Sequence, residues 1–170
     1  MRDTIAALIL LGASPAVAGE TARLSDGVAL SVRCLDDAAC RFHGSDLRVE
    51  LTLRNTRDAP VELPIAYFRR RGPSVLLTDV QSGRTLQLRT NLAGARQRQN
   101  PQTLAPAESV AYTWRIFATE INSMASRPVD LIAEFSVNLA AGAPGKSADV
   151  VRHEIHVHGD DGGALPLSDR

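Results

Sequence analysis

Three of the four histidines in this chain fall in one short stretch, Arg152 to Gly159, RHEIHVHG, with Glu154 between them. Imidazole and carboxylate at close spacing are donors for Zn²⁺ or Cu²⁺. The zinc-protease arrangement sets two histidines on one face of a helix, four positions apart around a glutamate. Here His156 follows His153 and Glu154 one position too early, and Val157 stands where the second ligand belongs. The segment alternates instead, as a strand does. Val151, His153, Ile155 and Val157 share a core face, while Arg152, Glu154, His156 and His158 share an exposed one. His156 and His158 are then about 7 Å apart at Cα. With Glu154, or with a residue from a neighbouring strand, they form a surface ligand set for Zn²⁺ or Cu²⁺. The other readings are a solvated strand or a pH-sensitive pair at the edge of an interface. A copper carrier is expected to be richer in methionine, and Met124 is the only one after Met1.

Covalent catalysis has little support. Neither Gly-x-Ser-x-Gly nor Ser-x-x-Lys occurs, and no glycine loop has the spacing that cradles phosphate. His43, Ser45 and Asp46 are chain neighbours, whereas triads are assembled from distant segments. Asp36-Asp37 and Asp160-Asp161 read as turn and tail acids. No catalytic residue and no cofactor is assigned, and the expectation is a binding module, not an enzyme.

The charges are unevenly placed. Formal net charge is zero, yet Arg69 to Arg98 holds seven arginines against a single acid, Asp79. From Pro101 to Arg170 there are five basic and nine acidic residues, and Lys146 is the only lysine of the chain. Arginine favours planar, bidentate contact with carboxylate or phosphate. Nucleic acid is a poor match for an exported, neutral chain. An acidic protein surface fits better, with an anionic glycan or lipid head group as further options and a solvated face as the bland one. Tyr67, Arg69, Arg70, Arg71, Arg96 and Arg98 are the expected partner-binding residues, set on a basic turn and on the loop Asn91 to Gln102. Tyrosine and arginine beside a turn have hot-spot composition.

These residues need elements to hold them. Residues 1–18 read as a secretory signal peptide: Arg2, the apolar run Ile5 to Leu11, then Ala16-Val17-Ala18 before Gly19. The run is far shorter than the roughly 20 residues that span a bilayer. The destination is periplasmic or secreted, with no transmembrane segment after cleavage. Removing 18 of 170 residues leaves 152, a length suited to one domain. Cys34 and Cys40 are the only cysteines, and in an oxidising compartment they pair as a disulfide. The alternative, a redox or metal pair, suits neither their spacing nor the neighbouring Asp36 and Asp37.

Strand signals follow one another. Leu47, Val49, Leu51 and Leu53 alternate with polar residues, and Asn55 to Asp58 ends the strand. VELPIAYF is apolar but carries Pro64, so it is expected to be an edge or bent strand. SVLLTDV and RTLQLRT flank Gln81-Ser82-Gly83 as a hairpin. Val110, Tyr112, Trp114 and Ile116 share one face, as do Leu131, Ala133, Phe135 and Val137. Phe42 and Phe117 are also expected in or near the core, and FATEINSMASR has room for one helical turn. The expectation is an all-β, Ig-like antiparallel β-sandwich of one domain, residues 19–158, with one short-range disulfide and a flexible C-terminal tail, residues 159–170.

LRVELTLRNTRDAPVEL, LLTDVQSGRTLQL and TLAPAESVAYTWRI, between Leu47 and Ile116, together resemble bacterial exported Ig-like sandwiches of the intracellular proteinase inhibitor (BsuPI-like) type. There too a strand ends in an Asn turn, a hairpin carries Asp and Gly, and a Leu-x-Pro-x-Glu-Ser segment opens a strand ending in Trp. Ala107 departs from that pattern, standing where a glycine usually completes the turn. The resemblance implies the fold, and inhibition only by analogy.

The favoured function is therefore an exported protein-binding module, an inhibitor or immunity-type protein that neutralises an acidic partner, an effector, protease or envelope enzyme, through an arginine-rich hairpin and loop. The alternatives are a periplasmic copper- or zinc-binding carrier built on His156, His158 and Glu154, and an envelope or carbohydrate-binding domain. The scarcity of aromatics for sugar stacking counts against the last.

Overall fold

A computed structural model describes residues 27–140 and 149–159. The expected signal peptide, Lys146 and the tail beyond Gly159 lie outside the described residues. Among the described residues ten strands follow in chain order: β1 (Val28–Cys34), β2 (Arg41–Phe42), β3 (Leu47–Asn55), β4 (Val61–Leu63), β5 (Ser74–Asp79), β6 (Thr85–Gln87), β7 (Gln102–Leu104), β8 (Ser109–Ile116), β9 (Asp130–Asn138) and β10 (Val150–Gly159). Two seven-residue helices interrupt them, α1 (Ile65–Arg71) between β4 and β5 and α2 (Ala118–Met124) between β8 and β9. A 3-10 turn, Ala95–Arg98, lies between β6 and β7.

The strands form a three-stranded sheet, β1-β3-β8, a five-stranded sheet, β2-β10-β9-β5-β6, and a small β4-β7 pair. All pairings are antiparallel except β2 with β10, which is parallel. Alternation decides the layers. In β3 the leucines and Val49 are buried while Arg48 and Arg54 face out. In β9, Leu131, Ala133, Phe135 and Val137 are buried. The inward faces of the two large sheets share one apolar core that includes Leu30, Leu51, Leu77, Ile116, Phe135 and Val157. Each such side chain, fully buried, contributes roughly 1.5–3 kcal/mol. The chain is thus an all-β sandwich.

The Cys34–Cys40 disulfide is present, with a Cα–Cα distance of 5.4 Å. It closes the link between β1 and β2, and β2 then lies along the edge of β10 with Arg41 opposite His158. The expected hairpin forms, with Leu77 opposite Leu86. Gly159 belongs to β10 rather than to a tail, since its N–H donates to the Val129 carbonyl at 2.8 Å.

Three local expectations need correction. VELPIAYF is not one bent strand: β4 stops at Leu63 and α1 begins at Ile65. Pro64 cannot continue the strand ladder, and its carbonyl accepts from the Tyr67 and Phe68 N–H groups to open the helix. Ile65 and Phe68, three apart, then share the buried face. Arg69, Arg70 and Arg71 consequently lie in the last helical turn, not in a basic turn or hairpin. The Asn91 to Gln102 loop contains the 3-10 turn and leads into β7. Phe117 is exposed, because it precedes α2 and has left the alternation of β8.

The Pro106-Ala107 turn survives without glycine. The Glu108 N–H donates to the Ala105 carbonyl at 3.0 Å, and Ala107 takes the left-handed φ of 62°. The Glu108 carboxylate accepts from the Ala105 N–H at 2.7 Å. Asn55 locks this turn to the end of β3. Its buried amide donates to the carbonyls of Ala59, Leu104 and Ala105, and its side-chain oxygen accepts from the Arg57 N–H.

Candidate functional site

Two surfaces carry the residues that the sequence singles out. The first is basic. α1 and the 3-10 turn adjoin, and the Asn91 N–H donates to the Arg71 carbonyl at 2.9 Å, fastening the loop to the end of the helix. Tyr67 is 2% exposed, so it is not a contact residue. It is the support. The Arg98 guanidinium lies 4.4 Å from the Tyr67 ring centroid and donates to its hydroxyl at 2.8 Å. Arg71 approaches the same ring at 5.9 Å. Cation–π contact of this kind restrains a guanidinium while leaving its charge accessible.

Arg69 donates to the Ala111 carbonyl at 3.4 Å. Among the described residues the ion pairs of arginine with carboxylate are made elsewhere, by Arg33, Arg41, Arg48, Arg115 and Arg152. The five arginines of α1 and the 3-10 turn are all exposed and take no part in them. Leu92, in the same loop, is 94% exposed. It was not singled out in the sequence, where an isolated leucine in a loop has no periodicity to mark it.

The second surface is the outer face of the five-stranded sheet. His153 points into the core, while His156 and His158 are exposed, as the alternation requires. Register supplies a partner from β9: Asp130 stands opposite His158, and Ile132 opposite His156. The His156 Nε2 is 2.5 Å from the Asp130 carboxylate and the His158 Nδ1 is 3.9 Å from the same oxygen. The two imidazole rings are tilted by 50° with centroids 3.8 Å apart. Glu154 is not the third member. It lies opposite Glu134 in the register, away from the Asp130 end, and the carboxylate that meets both histidines is that of Asp130.

The other titratable groups have structural partners. His43 faces Asp37 at 3.7 Å. Asp46 accepts from the Ala118 N–H at the start of α2 and pairs with Arg115 at 3.4 Å, so His43, Ser45 and Asp46 are not arranged as a triad. Asp36 is held below its usual carboxylate range by the hydrogen bond from Arg48. Asp79 is buried at the end of β5 and its pKa is lowered to about 2. The Ser126 hydroxyl is the largest cause, burial opposes it, and Ser82 and the N–H groups of Gln81 and Ser126 add to the lowering. That cluster ties the β5–β6 turn to the segment after α2. Burial pushes the Tyr112 hydroxyl above its ordinary pKa, and it has no hydrogen-bond partner among the described residues.

No family model matches this chain, and no curated protein matches it. Solved structures do show likenesses. The Northeast Structural Genomics Consortium target SoR45 is 13% identical over 87% of this chain and 97% of its own, with a TM-score of 0.37. The C-terminal domain of wzt is 9% identical over 83% of this chain and 78% of its own, at 0.44. A β-glucosidase from Listeria innocua in complex with isofagomine is 16% identical over 78% of this chain, at 0.36, but the match spans only 16% of that enzyme. At these scores the likenesses carry no functional argument.

Proposed function

We propose that this protein is an exported protein-binding module that neutralises a partner by engaging an acidic surface, in the manner of an inhibitor or immunity protein. The observation that carries the proposal is the basic surface of α1 and the adjoining 3-10 turn, where Arg98 is restrained on the buried Tyr67 ring and, among the described residues, no carboxylate pairs with the arginines. Leu92 adds an exposed apolar group beside them. Arginine is among the residue types enriched in binding hot spots. A rigid sandwich beneath the surface lowers the ordering cost of binding. The disulfide supports folding in an oxidising compartment. The inhibitor form of the proposal draws also on the resemblance of Leu47 to Ile116 to BsuPI-like proteins, which is an analogy of fold.

The test is retention of envelope proteins on the immobilised chain, comparing wild type with a variant in which Arg69, Arg70, Arg71, Arg96 and Arg98 are all serine. A specific partner is expected to be held by the wild type, released by raised salt as exposed charge pairs are screened, and lost by the variant. Equal retention by both proteins would remove this surface from consideration.

A further inference from the structure

We infer that Asp130, His156 and His158 form a binding site for one late first-row divalent cation, Cu²⁺ in preference to Zn²⁺. One donor atom from each residue lies within 4.8 Å of the other two. Metal–ligand bonds of about 2.0–2.2 Å separate donors by about 3 Å in tetrahedral or square-planar coordination. The His156–Asp130 separation of 2.5 Å and the His158–Asp130 separation of 3.9 Å bracket that value. Small side-chain rotations would bring all three donors onto one ion, with no backbone movement. Strand pairing fixes the backbone positions: β10 lies between β2 and β9 within the sheet, and Asp130 is directly opposite His158.

The donor set decides the class of ion. Two imidazoles and one carboxylate suit copper, zinc or nickel, whereas calcium and magnesium require oxygen-rich sites. Among the divalent ions the affinity order places Cu²⁺ above Zn²⁺. Three protein ligands leave coordination positions open, and the exposed sheet face leaves them accessible. Such a site exchanges its ion or shares it with a further ligand, and does not bury it as a structural centre. Ile132 supplies an apolar neighbour to His156. Arg41 stands beside His158 on β2 and opposes a cation, although Asp37 faces it at 3.6 Å. This inference does not rest on the arginine surface, which occupies other elements.

Calorimetric titration of the untagged chain with Cu²⁺ and with Zn²⁺ tests it. Cu²⁺ is expected to bind as a single ion with Kd of about 10 μM or tighter, and Zn²⁺ more weakly. Asp130→Asn, His156→Gln and His158→Gln are each expected to weaken Cu²⁺ at least tenfold, while Glu154→Gln and His43→Gln leave it unchanged. The electron paramagnetic resonance spectrum of the Cu²⁺ form should show two coordinated imidazole nitrogens in the wild type and one in either single histidine variant. A wild-type Kd weaker than about 10 μM, or a spectrum unchanged by His156→Gln and His158→Gln, would overturn the site.

Discussion

Gly72 lies so close to Trp114 that a Cβ added to the glycine would sit 2.2 Å from the end of the indole ring. Trp114 is on β8 of the three-stranded sheet, and Gly72 closes α1, donating its N–H to the Phe68 carbonyl at 2.8 Å. The contact seats the arginine-bearing helix on the sandwich. Gly72 also has φ of +78°, a conformation that side chains resist. Gly72→Ala is expected to cost about 2–4 kcal/mol from overpacking and backbone strain together, measured by urea unfolding. In a Trp114→Ala background the same change should cost less, because the clash is gone and only the strain remains.

Ala107 makes the opposite case. Its left-handed backbone costs an alanine about 1–2 kcal/mol, while glycine returns part of that through the greater freedom of the unfolded chain. Ala107→Gly is expected to stabilise by about 0.5–1 kcal/mol, seen as a raised thermal midpoint. A lowered midpoint would mean that the alanine methyl contributes packing that offsets the strain.

Asp79 sets a pH dependence. Its folded pKa of about 2 lies below the unfolded value of about 3.9. The charged form is therefore favoured by folding, and its contribution is complete above about pH 4 and fades as pH falls towards 2. Asp79→Asn should be less stable than wild type at neutral pH, and the two unfolding midpoints should converge across that acidic window. Ser126→Ala should show the same trend to a smaller degree, since Ser82 and two N–H groups remain on the carboxylate.

The disulfide closes a short loop, Cys34 to Cys40. Replacing both cysteines with serine is expected to lose ~2 kcal/mol by the chain-entropy account, read from urea midpoints under oxidising conditions. In reducing agent the wild type should approach the variant. A wild type insensitive to reductant would show that the β1–β2 link is held by its neighbours alone.

Much of this molecule is legible in local pattern. Period-two alternation locates β3, β8, β9 and β10 and states which side of each faces the core, so His153 reads as buried and His156 and His158 as exposed. The same rule misplaces Ile65 to Phe68, because a short apolar run fits a strand as well as a single amphipathic turn. Pro64, which ends the ladder, and the spacing of Ile65 and Phe68 are the signals that favour the helix.

By itself, then, the sequence determines the strands, their inward and outward faces, the cysteine pair and the crowding of arginine between Arg69 and Arg98, since each follows from neighbours along the chain. Only the tertiary structure decides which distant groups meet. Asp130 replaces Glu154 beside the histidines because the β9–β10 register sets it opposite His158. Tyr67 becomes a buried support for Arg98 because the loop folds back over α1. A residue's own face is a property of backbone periodicity, whereas its cross-strand partner depends on register and topology, which the packing of the whole core selects.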